Sequence, residues 1–441
     1  MKNLLLVVLL CSGFRVLAQK SFSLKDCIAY TLANHGSVQV YKNNVDIAKT
    51  QVAESKGLYL PSINLSAAMV DNLKLQSTVL PAGIFGPSPK EIQLGTQYNI
   101  NYGIDVSQTI FDASKIVNIQ AGKSSVAISE VQKNQNNENL IYNTAISYFQ
   151  LLIYQEQLKI LEANERKYAE MAKVLEYQLS KGVVLEKDVD RVKVNLNTTR
   201  YQIEDTKTRQ TLALNTLKNT MGMDGKEPLA VSNDIDYEQF AQTPLSDELN
   251  LNNLTDNQLN ELSVKLREYD VKAKKATFLP TLTAVGKWTN QSLSNDFSHA
   301  FSNWTDYSYV GLSLNMPLFS GFRRKNAVKE SQLKLDNEKL NLKLNQQNLQ
   351  LRFDNAQSAV TTAYTSYKSN KDNMALAAKV LSVTDYQYQR GVANLTDYLN
   401  DDAAYKAAQS TYINSLYNLM ISQVSYEKSQ GKLYEFISNI K

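Results

Sequence analysis

Leu60-Pro61 is the first element of a sequence pattern that occurs twice in this chain, and the same dipeptide occurs again as Leu279-Pro280. Later landmarks return in the same order, namely Phe111 as Phe319, Lys181-Gly182 as Arg390-Gly391, and Gly222 as Gly431. The distance along the chain from Gly182 to Gly222 equals that from Gly391 to Gly431. A repeat of about 200 residues is too long for a solenoid unit. The sequence therefore predicts a duplicated half-molecule.

Each half contains two segments in which apolar and polar residues alternate, as in a β-strand with one face in lipid and one in a wet lumen. The clearest segment runs from Tyr98 to Val106 and a second from Ser62 to Met69. In the second half the apolar positions are Leu282, Ala284 and Trp288, followed by Val310, Leu312, Leu314 and Met316. A soluble sandwich would also show alternation, but four strands spread over about 260 residues would make a poor one.

Aromatic residues near the strand ends are typical of the girdles at membrane surfaces. The residues assigned to such girdles are Tyr59, Trp288, Trp304, Tyr307 and Tyr309. Four strands cannot close a membrane barrel, which needs about eight or more. An open edge in lipid would leave backbone groups unpaired at several kcal/mol each. If these strands cross a membrane, the chain must therefore oligomerise and share one barrel.

Each second strand is predicted to end at the start of a helix, with Asp112 and Ser320 as N-caps. From there a proline-free helical pattern runs to Tyr177 and to Gln389, or roughly 100 Å at about 1.5 Å per residue. Two apolar rows on the second long helix predict a neighbour on each side. A coiled-coil scaffold would show the same rows, but it would leave the strands unexplained.

Glycine turns follow both long helices, because glycine suits the left-handed position after a last helical turn and a preceding cation suits a helix C-terminus. The predicted turns lie at Lys181-Gly182 and Arg390-Gly391, the returning helices start near Glu186 and Thr396, and they end near Met221 and Gln430.

The N-terminus predicts export from a bacterial cytoplasm. Met1-Lys2-Asn3 precedes a short apolar run, and Val16-Leu17-Ala18 offers small residues for signal peptidase, so residues 1–18 are predicted to be a signal peptide. Cys11 leaves lipid attachment as an alternative, although Leu10 is bulky where such a site needs a small residue. The mature chain keeps Cys27 alone, which excludes a disulfide within the chain.

The repeat pattern predicts five segments along the chain. Residues 1–18 form the signal peptide, 19–222 the first repeat, 223–253 a connecting segment, 254–432 the second repeat and 433–441 a C-terminal tail. The connecting segment is polar and contains Pro228 and Pro244. We interpret it as an equatorial belt around the helices rather than as a free linker.

Composition argues against several classes of protein. A formal net charge of +4 provides no polybasic face for nucleic acid. His35 and His299 are far apart in sequence, which argues against His-rich zinc sites and His-based triads. The sequence also has no phosphate-binding glycine loop. We therefore predict no catalytic site, no cofactor and no metal, and the energy for any transport must come from a partner.

The duplicated order of helix, Leu-Pro strand, second strand, long helix, glycine turn and returning helix resembles the TolC family of outer-membrane factors. The resemblance covers nearly the whole mature chain. Its strongest local matches are Pro317-Leu318-Phe319-Ser320-Gly321 and Tyr388-Gln389-Arg390-Gly391-Val392. Asp397 follows the second glycine turn, as Asp188 follows the first.

The resemblance implies a mixed α and β membrane protein with two repeats per chain, each giving two transmembrane strands and long coiled-coil-like helices. It implies a homotrimer with a shared 12-stranded β-barrel in the outer membrane of a Gram-negative bacterium and an α-helical barrel in the periplasm. The implied partners are a periplasmic adaptor (a membrane fusion protein) and an inner-membrane RND or ABC transporter. The residues implied at the adaptor-docking tips are Lys181, Gly182, Val183, Arg390, Gly391 and Val392.

The resemblance also implies a periplasmic gate. Asp397 falls on an acidic position that constricts the tunnel in the family, whereas the next such position is Asn400, with Asp401 adjacent to it. An arginine that is frequent two residues after the turn glycine is replaced by Ala393. The ionic latch of some members is therefore expected to be absent. We expect three copies of Asp397, together with Asp401, to form an acidic ring that favours cations, with pKa values raised by the like charges.

Tyr388 matches a tip tyrosine that can bond to the aspartate of the first hairpin, which falls on Asp188. An alternative remains for both aspartates, since Asp188 and Asp397 could simply complement helix N-termini.

Two functions from different classes follow. The first is an outer-membrane exit duct of a tripartite efflux or type I secretion system, which passively conducts substrates. The second is a periplasmic coiled-coil scaffold or adaptor. Adaptors carry one helical hairpin flanked by small β-domains, whereas this chain has two equivalent hairpins, so the sequence favours the duct.

Overall fold

The computed structural model describes residues 21–440 except 85, 234, 238–239, 241–244 and 246–247, so the predicted signal peptide and Cys11 lie outside the described residues. The helices are α1 (Leu24–Asn34), α2 (Gly36–Gly57), α3 (Ala113–Ser180), α4 (Glu186–Met221), α5 (Thr255–Ala276), α6 (Arg323–Gln389), α7 (Leu395–Gln430) and α8 (Leu433–Asn439). The strands are β1 (Ser21–Phe22), β2 (Ser62–Asp71), β3 (Gln76–Leu80), β4 (Lys90–Leu94), β5 (Tyr98–Phe111), β6 (Ala230–Val231), β7 (Thr281–Ser294) and β8 (Trp304–Asn315).

The chain divides into two compact units. The helical unit holds the described residues of Met1–Asn43, Glu130–Leu259 and Leu342–Lys441. The strand unit holds those of Asn44–Ser129 and Asn260–Asn341. Each unit therefore contains residues from both halves of the sequence. This is expected of a duplicated chain in which the two halves contribute equivalent elements.

The strand unit is built on a four-stranded antiparallel sheet in the order β2-β5-β7-β8. Its register places Leu65 opposite Ile104 and Ile104 opposite Trp288. Further along β7, Ala284 lies opposite Leu312. Alternation thus gathers the apolar positions of all four strands on one face, and that face is exposed, with Leu65 at 76% and Leu312 at 72%. The four predicted strands are confirmed, and the register shows in addition that their apolar positions share one face.

The assignment of Tyr307 and Tyr309 to a girdle on the apolar face is wrong. Tyr309 lies opposite Lys287, and Tyr307 lies opposite Thr289, on the polar face of the sheet. On the same face the Lys287 Nζ lies 3.4 Å from a carboxylate oxygen of Asp105. The reason is the period of two, which sends neighbouring positions of a strand to opposite faces.

Trp288 and Trp304 do lie on the apolar face, where both contact Tyr102. The ring centroids of Tyr102 lie 5.8 Å from Trp288 and 5.2 Å from Trp304, in edge-to-face geometry. The indole N–H of Trp304 donates to the carbonyl oxygen of Phe301 at 2.8 Å. Within the described residues, no helix combines the length and apolar character that a membrane crossing requires.

The two long helices begin differently, although the sequence predicted equivalent starts. The Asp112 carboxylate accepts the backbone N–H of Ser114 at 2.9 Å, which confirms Asp112 as an N-cap. The predicted cap at Ser320 is wrong, because α6 begins only at Arg323. Phe322 precedes it with a φ of 62°, and β8 has already ended at Asn315. The second copy therefore inserts an irregular connection where the first passes directly from strand to helix.

The core of the helical unit lies where α1, α3, α4, α7 and α8 pack together. Its fully buried side chains include Tyr148, Phe149, Leu217, Leu419 and Met420. The Tyr148 hydroxyl donates to the carbonyl oxygen of Ser232 at 2.6 Å, which ties the segment after α4 to this core.

The predicted connecting segment and tail contain short elements of their own. Ala230–Val231 pairs in parallel with Ser21–Phe22, and Leu433–Asn439 forms α8, whose Leu433 and Ile437 are buried. Pro244 lies outside the described residues. The described part of the connecting segment is thus attached to the N-terminal strand, which fits a segment that is not a free linker.

Gly431 and Gly182 offer a matched test of helix termination. Both glycines follow a helix with left-handed φ values, 73° and 71°. A Cβ at Gly431 would lie 2.5 Å from the Asn253 carbonyl oxygen, whereas a Cβ at Gly182 would meet nothing within 4 Å. Left-handed strain alone should cost Gly182→Ala about 1 kcal/mol.

We expect Gly431→Ala to cost about 2 kcal/mol more than Gly182→Ala, because the backbone of Asn253 must also move. Urea or thermal unfolding followed by circular dichroism, with both variants in the same detergent, measures the difference. Equal losses of unfolding free energy would contradict the close approach of Gly431 to Asn253.

Candidate functional site

The candidate site lies at the turns of the two helical hairpins, which have the same geometry. In the α3–α4 turn, the backbone N–H of Val183 donates to the Gln178 carbonyl oxygen at 2.9 Å. In the α6–α7 turn, Val392 donates to Gln387 at the same distance. With glycine in the left-handed conformation, both turns are Schellman motifs. The duplicated sequence thus produces two equivalent hairpin tips.

The predicted adaptor-docking residues are all exposed on these tips, and they are Lys181, Gly182, Val183, Arg390, Gly391 and Val392. Each tip cation also lies over a tyrosine ring of its own helix. The Lys181 Nζ is 5.4 Å from the ring centroid of Tyr177, and the Arg390 guanidinium is 5.3 Å from that of Tyr386. Exposure makes these residues accessible to a partner, while their docking role stays a prediction.

The two hairpins contact each other just behind the tips. The Arg191 guanidinium of α4 donates to the Thr396 hydroxyl of α7 at 2.9 Å. Val192 of α4 and Tyr398 of α7 belong to one buried apolar cluster. The tips are therefore held together by packing as well as by a polar contact.

Asp188 and Asp397 occupy equivalent positions in the first turns of α4 and α7. The Asn394 side chain caps α7 by accepting the backbone N–H of Asp397 at 2.9 Å. A carboxylate in a first helical turn is favourable to the helix dipole, so the helix-terminus role of both aspartates fits this placement. Asp397 is nevertheless exposed, whereas Asp188 is half-buried. Both the ring and the dipole hypotheses therefore remain open for Asp397.

Tyr388 is half-buried, with its ring centroid 5.5 Å from that of Tyr398. Burial raises the pKa of Tyr388, and the nearby carboxylate of Asp188 raises this pKa further. Asp188 is therefore near enough to Tyr388 to influence its charge. The hydrogen bond between them stays a prediction.

Asp401 and Asn400 differ in how they are held. The Asp401 carboxylate accepts the Thr384 hydroxyl of α6 at 2.6 Å, which ties it to its own hairpin. Asn400 is exposed, like Asp397. Of the acidic residues proposed for a ring, Asp397 is therefore the more accessible and Asp401 the more restrained.

A buried polar cluster around Asp402 was not found by the sequence reasoning. Asp402 is 1% exposed, forms an ion pair with Lys167 and accepts the hydroxyl of Tyr168. The Lys406 Nζ donates to the same Tyr168 hydroxyl at 3.0 Å. The carboxylate thus contacts Lys167 and Tyr168 of α3, Lys406 is linked to it through the Tyr168 hydroxyl, and the cluster connects α7 to α3.

The environment of this cluster perturbs its titratable groups. Burial and the hydrogen bond to the Asp402 carboxylate raise the pKa of Tyr168. Burial lowers the pKa of Lys406, although the charge of Asp402 opposes that shift. A sequence signal did exist, because Asp402 continues the helical row of Leu395 and Tyr398, so a carboxylate stands in an apolar seam. Among the described residues, no group of three or more His, Cys, Asp or Glu could hold a metal ion.

Asp402→Asn tests whether the cluster holds the two hairpins together. The variant leaves Lys406 half-buried beside Lys167 with no carboxylate between them. We expect a loss of about 1–3 kcal/mol of unfolding free energy, less than for a fully buried pair because Lys167 is partly exposed. Asp397→Asn, which removes the same charge from an exposed position, is the control. Chemical unfolding of both variants in detergent gives the comparison, and equal losses would contradict a stabilising role of the cluster.

Comparison with known proteins places the chain among outer-membrane channels. The sequence profile of the outer membrane efflux protein family matches residues 28–223 and 250–432. The outer membrane protein TolC of Vibrio cholerae is 20% identical over 404 residues, which cover 88% of this chain and 86% of that protein. The alkaline protease secretion protein AprF of Pseudomonas aeruginosa is 22% identical over 343 residues, covering 75% and 69%.

The crystal structure of CusC has a similar fold, with a TM-score of 0.76 at 18% identity over 92% of this chain and 91% of that one. Since the family profile spans most of both repeats, the chain belongs to the outer membrane efflux protein family and is an outer-membrane exit duct rather than a periplasmic scaffold or adaptor.

Proposed function

We propose that three copies of this chain form the exit duct of a tripartite efflux or type I secretion system. In this proposal the three four-stranded sheets close into one 12-stranded barrel in the outer membrane, and the helices form a barrel in the periplasm. The proposed organisation keeps the signal peptide at 1–18, the repeats at 19–222 and 254–432, the connecting segment at 223–253 and the tail at 433–441.

The observation that carries the proposal is the open sheet with one apolar face. In the described chain, β2 and β8 are the edges of the sheet, and each has a strand partner on one side only. In lipid every backbone donor and acceptor must be paired. Pairing β2 of one copy with β8 of the next satisfies both edges at once, and the exposed apolar face then contacts lipid. The polar face, with Lys287 and Asp105, lines the duct.

The proposed partners supply the energy for transport and the connection to the inner membrane. The proposed mechanism assigns no catalytic step to the chain, so an inner-membrane RND or ABC transporter would energise transport. A periplasmic adaptor would connect the two at the exposed hairpin tips. The name of AprF refers to secretion and that of the family to efflux. Both kinds of system therefore remain within the proposal.

The proposed gate is the acidic ring at the hairpin tips. Three exposed Asp397 carboxylates would face each other around a three-fold axis and attract cations. Asp401 would contribute from one turn behind, where Thr384 restrains it. The equivalent Asp188 serves the N-terminus of α4 and, in this proposal, contacts Tyr388. The asymmetry between the two hairpins therefore concerns the chemistry of their first turns rather than their backbone geometry.

The variants Asp397→Asn and Asp188→Asn distinguish the acidic-ring hypothesis from the helix-dipole hypothesis. Both remove a carboxylate from the same position of equivalent helices, but only Asp397 is proposed to belong to the ring. Purified protein in planar bilayers should form ion-conducting channels with a preference for cations. We expect Asp397→Asn to lower the cation preference at least about twofold, since it removes three charges from one constriction. Asp188→Asn should leave the cation preference nearly unchanged.

The outcomes distinguish two levels of the proposal. Unchanged conductance and selectivity in Asp397→Asn would exclude the acidic ring while leaving the duct intact. An absence of channels from correctly folded wild-type protein would count against the duct itself.

A further inference from the structure

The connection between β8 and α6 carries large apolar side chains that are open to the surroundings. Leu318 is 89% exposed, Phe319 77% and Phe322 64%. The rings of Phe319 and Phe322 contact each other edge to face, with centroids 5.7 Å apart. These residues lie in the connection that follows the end of β8 at Asn315, so exposed apolar side chains continue past the last hydrogen-bonded residue of the strand.

Phe322 adopts a conformation that a bulky residue rarely takes. Its φ of 62° lies in the left-handed region, which is strained for a side chain of this kind. Gly321, next to it, also has a positive φ of 59°. The strained turn displays Phe322 beside Phe319 instead of burying it. A surrounding that accepts both rings would offset this strain.

Three cations follow at once, at Arg323, Arg324 and Lys325 in the first turn of α6. Cations in a first turn are unfavourable to the helix dipole. Among the described residues, none of the three forms an ion pair with a carboxylate. The charge at this helix start is therefore balanced by neither the helix nor a neighbouring side chain.

The neighbouring connection repeats the arrangement. Lys274 and Lys275 lie in the last turn of α5, and exposed Phe278 and Leu279 follow before β7 begins. The register of Thr281 opposite Asn315 puts the start of β7 beside the end of β8. Both connections thus meet at one end of the sheet, with apolar side chains next to the strands and cations next to the helices.

The other end of the same two strands lacks this charge. The connection over residues 295–303 contains Asp296 and His299 but neither lysine nor arginine. The carboxylate of Asp296 accepts the backbone N–H of Ser298 at 2.9 Å. The cationic side chains are therefore a feature of the helical end of β7 and β8 rather than of sheet ends in general.

We propose that this junction binds the headgroups of anionic glycerophospholipids in the periplasmic leaflet of the membrane. Phe319 and Phe322 enter the interfacial region, where aromatic rings are favourable. Arg323, Arg324 and Lys325 bind the lipid phosphates, for which the arginine fork is well suited. The inference rests on the proposed function in one respect, namely that the strands cross the membrane. It adds a lipid class and a binding site.

The triple variant Arg323→Gln/Arg324→Gln/Lys325→Gln tests the site. Delipidated trimer is titrated with phosphatidylglycerol or phosphatidylethanolamine and analysed by native mass spectrometry, which reports bound lipid and assembly together. Each cation near an anionic surface strengthens the binding of an anionic lipid. We therefore expect the triple variant to bind phosphatidylglycerol at least about tenfold more weakly than the wild type. Binding of phosphatidylethanolamine should change little.

The control removes the same charge from exposed lysines elsewhere on α6, as Lys339→Gln/Lys343→Gln/Lys368→Gln, and should keep the wild-type preference. Equal retention of the two lipids by the wild type, or equal losses in both triple variants, would overturn the proposal. So would a preference for lipid A over phosphatidylglycerol, since lipid A belongs to the other leaflet. If the triple variant fails to assemble, the single variants Arg323→Gln and Lys325→Gln must each weaken phosphatidylglycerol binding. A wild-type protein that is not a membrane trimer would instead contradict the proposed function.

Discussion

An open sheet edge cannot remain open in a bilayer, and the rest of the structure depends on this constraint. The sheet of this chain presents an exposed apolar face and ends at β2 and β8. Each unpaired backbone group in lipid costs several kcal/mol, far more than typical side-chain contacts contribute. Association of copies along these edges is therefore a condition for inserting the strands, and the helices that follow each strand must follow the same symmetry.

The helical unit is subject to a different constraint. Its two hairpins have nearly the same backbone geometry and must pack together, but the side chains at their helix starts differ. The two hairpins turn with the same backbone geometry, a Schellman motif at Gly182 and another at Gly391. The side chains differ, since Asn394 caps α7 whereas Leu185 precedes α4 without a side-chain cap. The cluster of Asp402, Lys167 and Lys406 then joins one hairpin to the other. We infer that this buried carboxylate favours one packing arrangement, because an alternative would leave the Asp402 carboxylate without Lys167.

Much of the fold could be predicted from the sequence because its signals are local and occur twice. Alternation identified the four long strands, and the helical pattern gave the ends of α4 and α7 at Met221 and Gln430, each just before a repeated glycine. The start of α6 could not be predicted in this way, because Ser320 is a good capping residue by type. The left-handed Gly321-Phe322 pair delays the helix to Arg323. The two tyrosines of β8 were misplaced because aromatic character was weighed above strand phase. Asp402 was missed because its partners Lys167 and Tyr168 lie more than 230 residues away in sequence, a separation that no local pattern bridges. The ring proposed for Asp397, with Asn400 and Asp401 beside it, is formed between copies, whereas the role of Asp188 lies within one chain, at the start of α4.

The native mass of the protein tests the shared barrel most directly. The protein would be extracted from the outer-membrane fraction in mild detergent and its mass measured with correction for bound detergent. Three chains per particle is the result that pairing of β2 with β8 predicts, since three sheets of four strands close the barrel. A monomer or dimer recovered from the soluble periplasmic fraction would contradict the account, because the apolar sheet would then have no membrane to face.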